Sequence, residues 1–285
     1  MRYFKRNARV TISQPAEGNQ FFRQQVTNVT TVTDLRVTFT VEKSLEHDPN
    51  TCQLAIFNLA ERTRMQLQRK PTHVRVEVAY DDQFSRLFEG DLQWAESNLD
   101  RVDWETRLQL GDGLRAYRHG RISKAYQGGA TVKQLVTDTA KSMGLSLPRT
   151  VTEAKELQKQ FANGVTLSGP AYREMTRLLK PLGKQWSIQD GRLQILGGSE
   201  TRADDVIRIA SDTGMKGSPS FGTPPDKKRP PILHVTTLCR PEITPGGRIL
   251  VESKVVSGLF RVERVRHSGD THSNVWDSDI EAIRL

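Results

Sequence analysis

The sequence predicts a mainly β, α+β protein: two β-rich regions with a small α+β unit inserted between them. Three observations carry that reading. Apolar and polar residues alternate with a period of two in successive stretches between Leu35 and Leu110. After Gly120 the apolar spacing becomes helical, and from Ile232 onward alternation returns.

Residues 1 to 120 form the first region. Leu35, Val37, Phe39 and Val41 alternate with Arg36, Thr38 and Thr40, which sets the apolar residues on one face of a strand. Val74, Val76, Val78 and Tyr80 repeat the pattern, as do Trp104, Thr106, Leu108 and Leu110. Thr51 to Leu59 gives another strand, and Ala60 to Gln68 a short helix before Pro71. Strands joined by short connections suggest a barrel or a sandwich, and the strict alternation leads to the expectation of a closed or nearly closed antiparallel barrel with Val37, Phe39, Val76 and Val78 inside.

Residues 121 to 200 form the α+β unit. Val132, Leu135, Val136, Ala140 and Met143 share one helical face, opened by a Thr131/Gln134 capping-box pattern and stopped at Gly144. A second helix carries Ala171, Tyr172, Met175, Leu178 and Leu179 on its apolar face. Pro170 suits its first position, and Pro181 is expected to end it by pushing Lys180 out of the helical region. Trp186, Ile188, the pair Asp190-Gly191, Leu193 and Ile195 spell a β-hairpin. Both helices are expected to pack on that hairpin through Leu135, Met143, Leu178, Trp186 and Ile195.

Residues 201 to 285 form the second β-rich region, entered through a Gly/Pro-rich stretch (197–231) that reads mostly as loop, with Lys227-Lys228-Arg229 at an exposed tip. Strands are expected at Ile232 to Cys239, Ile249 to Val251, Leu259 to Arg266 and Asp279 to Leu285. No repeat of fixed period is present.

With 36% hydrophobic and 26% charged residues, the composition is that of a globular protein, and no apolar run approaches the length of a membrane span. The basic start, Met1 to Arg6, leads into Asn7 and Arg9 rather than an apolar stretch, so no secretory signal is expected and folding in the cytosol is. Cys52 and Cys239 each sit in an alternating run at the core phase, which predicts buried free thiols.

The net charge of +9 invites a nucleic-acid reading. Its distribution argues against one: 17 basic against 16 acidic residues over 1 to 120, 12 against 6 over 121 to 200, and 13 against 11 over 201 to 285. The excess is dispersed within the middle segment, without interleaved aromatics to stack on bases. A surface facing solvent or neighbouring subunits accounts for it better.

Three groups of residues invite a chemical reading. His267, Asp270 and His272 are metal-ligand types, but Ser268 to Thr271 reads as a turn and Asp270 as the residue capping its backbone. Glu42, Glu46 and Asp48, or Asp81 and Asp82, would be acid pairs for glycoside hydrolysis, yet they sit at strand ends where solvated charge is routine. Gly111-x-Gly113 lacks a third glycine and reads as a turn. There is no nucleophile elbow, zinc-protease motif or phosphate-binding loop. The expectation is a non-enzyme with no catalytic, cofactor-binding or metal site.

Three stretches together resemble the phage tail baseplate hub proteins, the group that includes the hub of contractile tails and the late-control proteins. The first is Asn50 to Arg64, with its strand, Asn58-Leu59 and short polar helix. The second is Phe88-Glu89-Gly90-Asp91, similar to that family's aromatic-x-Gly-Asp turn after a strand. The third runs from Asp212 to Pro219, through Leu238 to Gly246, to Gly258 to Val262, His267 to Asp270 and the late Trp276; His272, Ser273 and Asn274 stand where the family has a further glycine.

The resemblance spans nearly the whole chain. It implies two tube-like antiparallel β-barrel domains, one near each terminus, with the small α+β domain inserted between them, in a structural virion protein of the tail baseplate, assembled in the host cytoplasm as a homotrimeric ring that joins the tail tube to the central spike. Implied partners are other copies of itself, the tail tube or distal tail protein, the spike protein, and the tape measure and other baseplate proteins. Membrane insertion, specific nucleic-acid binding and cofactors are not implied. The alternatives are a tail-associated cell-wall hydrolase and a nucleic-acid-binding protein.

Overall fold

A computed structural model of the chain describes residues 5–15, 26–69, 72–147, 154–222 and 230–285. Residues Met1 to Phe4, Pro71 and Lys227-Lys228-Arg229 lie outside them.

Seven strands build the first half: β1 (Arg6–Pro15), β2 (Val26–Val32), β3 (Val37–Ser44), β4 (Thr51–Phe57), β5 (His73–Tyr80), β6 (Gln83–Asp100) and β7 (Asp103–Gly111). They lie side by side in the order β3-β4-β7-β6-β5-β1-β2, with helix α1 (Glu61–Arg69) between β4 and β5. The alternation works as read: Val37, Phe39, Val41, Leu54, Val76, Val78, Leu108 and Leu110 all point into one core. Cys52 and Cys239 are buried there as free thiols. Asp81 and Asp82, at φ 49° and 64°, make the two-residue turn from β5 to β6, since short Asp side chains tolerate the left-handed region.

Phe88 to Asp91, expected as a turn, lies within the 18-residue β6. A register shift between Val76 and Glu77 of β5 against Phe88 and Arg86 of β6 absorbs the irregularity without ending the strand.

The middle unit has its own core. Its elements are α2 (Leu114–His119), β8 (Arg121–Tyr126), α3 (Val132–Ser142), β9 (Val165–Pro170), α4 (Ala171–Leu179), β10 (Lys184–Gln189) and β11 (Arg192–Gly197). Leu135, Met143, Leu178, Trp186 and Ile195 meet in one cluster, which Ala116 of α2 joins. Thr131 Oγ1 accepts the Gln134 N–H at 3.2 Å, and Gly144, at φ 73°, closes α3 with two bonds: its own N–H to Lys141 O and the Leu145 N–H to Ala140 O, both 2.9 Å.

Two details differ at α4. Pro170 is the cap rather than the first helical residue, and Lys180 stays helical. A short 3₁₀ turn over Lys180–Leu182 carries the chain through Pro181, and Gly183, at φ 65°, ends it.

The last half comprises β12 (Ile207–Ala210), β13 (Met215–Gly222), β14 (Ile232–Leu238), β15 (Arg248–Glu252), β16 (Ser257–Asp270) and β17 (Trp276–Arg284) around Ile209, Val235, Ile249, Phe260, Val262 and Ile280. The stretch read mostly as loop contains β12 and β13. β13 is an edge strand, where Pro219 is tolerated and a register shift between Lys216 and Ser220 accommodates it. Ser268 to Asp270, expected in a turn, complete β16, and the turn starts at Thr271.

One edge of β16 serves both halves. Ser257 to Arg261 pair with β15, and Arg264 to Asp270 pair with β3, while β17 runs along the other edge. The change of partner falls at the register shift between Val262 and Arg264, where the Glu263 carbonyl accepts the Leu45 N–H at 3.0 Å. A single 13-stranded sheet results, and no ladder among the described residues closes either half into a barrel. The free edge of β3 that closure would need is taken by β16.

Candidate functional site

Polar side chains are buried where the middle unit meets the first half. The inward phase of β3 continues from Val37, Phe39 and Val41 to Lys43, whose side chain is 1% exposed. Its ammonium donates to Asp190 Oδ1, at the turn between β10 and β11, at 3.0 Å. Asp112, just after β7, accepts the backbone N–H groups of Asp190 at 2.5 Å and Gly191 at 2.8 Å.

Asn50 donates from Nδ2 to Ile188 O at 2.9 Å and Gln189 Oε1 at 2.8 Å, and its Oδ1 accepts the Ser44 N–H at 3.0 Å. Gln189 in turn donates to Ser44 O at 2.7 Å. This knot clamps the β10–β11 hairpin onto β3 and β7. Burial pushes the Asp112 carboxyl up to about 7, against the pull of the Gly191 N–H and Lys43.

His267 lies on β16 opposite Val41 and is fully buried. Its Nδ1 meets Ser278 Oγ at 2.7 Å. Burial first, and Lys43 second, push it down to about 3, so the ring is neutral. Asp270 accepts the Arg36 guanidinium through both oxygens (3.2 and 2.8 Å) and caps the following turn by accepting the His272 N–H at 2.9 Å. His272 contacts Thr271 Oγ1 at 3.0 Å. The three residues thus face different partners, and among the described residues no His, Cys, Asp or Glu group is placed to hold a metal ion.

The carboxylates considered for acid chemistry are spread over the surface. Glu42 lies 3.8 Å from Arg266 and Glu46 3.7 Å from Arg264, all exposed. Asp48 is exposed, and Asp81 and Asp82 form the hairpin turn. Gly111 ends β7 and Gly113, at φ 67°, caps α2, so the pair is a turn. A pocket of about 780 Å³ beside β11 carries the ion pairs Lys184–Glu200 and Arg202–Asp204 in its wall, together with Glu156 and Arg192.

On the outer face of β5 and β6, His73 sits between Glu89 (3.1 Å) and Asp91 (3.2 Å), and Glu89 also takes Arg75 and Arg86 at 3.1 Å each. Burial works to lower the imidazole, but the bonds to Asp91 and Glu89 outweigh it and raise His73 to about 9. The His73 bond, with help from Arg75, brings Glu89 down to about 2.

The β6–β7 hairpin extends past the core as an arm. Every residue from Asn98 to Trp104 is exposed, among them Leu99 at 57% and Val102 at 85%. Trp94 is half-exposed at its base, and the Arg64 guanidinium lies 3.8 Å over the Trp104 ring. Sequence patterning located the strand of Trp104 but not the arm, because alternation continues whether or not a core lies beneath it.

No protein-family model matches the chain, and no curated protein matches it by sequence. Solved structures do share its fold. It is similar to the 43 kDa tail protein of prophage MuSo2 from Shewanella oneidensis (10% identity, TM-score 0.65), over 98% of this chain and 97% of that one. A tail protein from Neisseria meningitidis MC58 aligns at 10% identity and TM-score 0.62 over 97% and 96%. An E. coli type VI secretion component, itself described as similar to the T4 tail proteins gp27 and gp5, aligns at 12% identity and TM-score 0.59 over 88% and 73%. No helix among the described residues is long and apolar enough to cross a membrane.

Proposed function

We propose that this chain is a structural hub subunit of a phage-type tail baseplate, three copies of which close a ring joining the tail tube to the central spike. The observation that supports the reading is the joined fold: two β-rich halves fused through one edge of β16, in a chain whose fold aligns end to end with the tail protein of Shewanella prophage MuSo2 and with a tail protein of Neisseria meningitidis.

Each copy contributes two β-rich halves, residues 1 to 120 and 201 to 285, so three copies present six. A ring of that kind matches a threefold spike on one side to a sixfold tube on the other. The middle unit, residues 121 to 200, is held by the Lys43–Asp190 knot as a fixed outer part of each copy. Function is then geometry: heterologous contacts that close under cyclic symmetry.

A structural role fits the side-chain chemistry. The candidate acids lie in solvent, in ion pairs or in a turn, and His267 is locked neutral against Ser278. The proposed partners are the tail tube or distal tail protein, the spike protein, and the tape measure and other baseplate proteins, within a virion tail assembled in the host cytoplasm.

Light scattering of the purified chain tests the ring. Three times the chain mass is the expected result; a monomer at every concentration, or peptidoglycan cleavage lost on changing one carboxylate, would overturn the proposal.

A further inference from the structure

We infer that the β6–β7 arm is the surface by which one copy grips the next, docking on the basic middle unit of a second copy of this chain. The inference rests on the ring reading above and names its contact.

The arm has no use for its apolar residues within the copy that carries them. Leu99 stands opposite Trp104 in the ladder, on one face, with Val102 at the tip. All three are exposed, and only Trp104 gains cover, from Arg64. A ladder ending this way presents a small apolar patch that a partner can bury.

Its charge selects the partner. Asp100 stands directly opposite Asp103, with Arg101 at the tip; Asp103 accepts the Asn58 amide N–H at 2.8 Å and the following Glu105 pairs with Arg107 at 2.7 Å, which leaves Asp100 as the acid whose charge a second copy would meet. Two carboxylates facing each other across a ladder destabilise it unless a cation comes between them. The rest of the chain is basic, and whole copies at +9 repel one another, so a contact between copies must be locally of opposite sign. The middle unit holds the largest basic excess, with Arg121, Lys155, Lys159 and Arg173 exposed. An acidic arm meeting that unit in the neighbouring copy is head-to-tail, as ring closure requires.

Sedimentation velocity and light scattering of the full chain, in low and high salt, test the contact on three variants and a charge-swap variant. Leu99→Ser/Val102→Ser and Asp100→Lys/Asp103→Lys alter only exposed positions, and Val255→Ser changes an exposed apolar residue elsewhere. Circular dichroism establishes that each is folded.

Both arm variants are expected to weaken ring assembly about tenfold or more, whereas Val255→Ser assembles as the unaltered chain does. Combining Asp100→Lys/Asp103→Lys with Lys159→Glu/Arg173→Glu in one chain makes all three contacts complementary again and is expected to restore assembly. Arm variants that keep the full ring mass overturn this inference and leave the ring reading standing. An unaltered chain that stays monomeric overturns the ring reading and the inference with it. Loss of assembly without rescue by the charge swap overturns the middle unit as the docking face.

Discussion

The Trp276 indole stands edge-on to the Phe39 ring, 5.2 Å between centroids at 74°, and so fills the first half's core with a side chain from the last. Gly269 pairs with both residues in the ladders, and a Cβ there would lie 2.2 Å from the Phe39 ring. Trp276→Ala empties that space and is expected to cost about 3–5 kcal/mol. Urea unfolding, followed by a probe in each half, checks this. Both probes should move together, because the lost ring belongs to the last half and the cavity it leaves to the first.

His73 gives the fold a pH dependence whose sign is set by its raised value of about 9, against an ordinary 6.5. The folded state holds this proton more tightly, so the stabilisation is complete below 6.5 and fades as pH rises through about 9. The melting temperature of His73→Gln should fall below that of the unaltered protein at pH 6 or so, with the gap closing above about pH 9. A gap that widens with rising pH would contradict the Glu89–His73–Asp91 arrangement.

Leu178 lies in the middle core with Met175 and Trp186. Leu178→Ala is expected to cost about 2–5 kcal/mol, read from the shift in urea midpoint at constant slope.

Cys52 and Cys239 are fully buried, and burial pushes Cys52 far above the ordinary thiol range and Cys239 up to about 12. Thiol reagents should leave both unmodified in the native protein and label two per chain after denaturation.

What could be read from the sequence was whatever a local pattern determines. Alternation placed Val37, Phe39, Val76 and Val78 inside, and helical spacing brought Leu135, Leu178 and Trp186 together. Lys43 went unread although it keeps the inward phase of β3, because a lysine at that phase reads as the end of the buried face and nothing local reveals Asp190 as its partner 147 residues away.

The misreadings share a cause. Phe88 to Asp91 and Ser268 to Asp270 contain turn-forming residues, yet ladders hold them extended, β5 along the first stretch and β3 and β17 along the second. Gly269 illustrates it: the absent side chain serves the close approach of Phe39 rather than a bend. The β16–β3 pairing, which replaces barrel closure, joins residues more than two hundred positions apart and has no local signature.

Because β16 carries both ladders on one continuous backbone, a tensile load reaching either half passes to the other along covalent bonds. Where it leaves that backbone for β3, it does so over the seven residue pairs from Arg264↔Ser44 to Asp270↔Thr38, which lie along the direction of pull. Loaded in shear, those pairs resist together instead of opening in sequence like a zipper. The junction between the halves is therefore a stiff tie rather than a hinge.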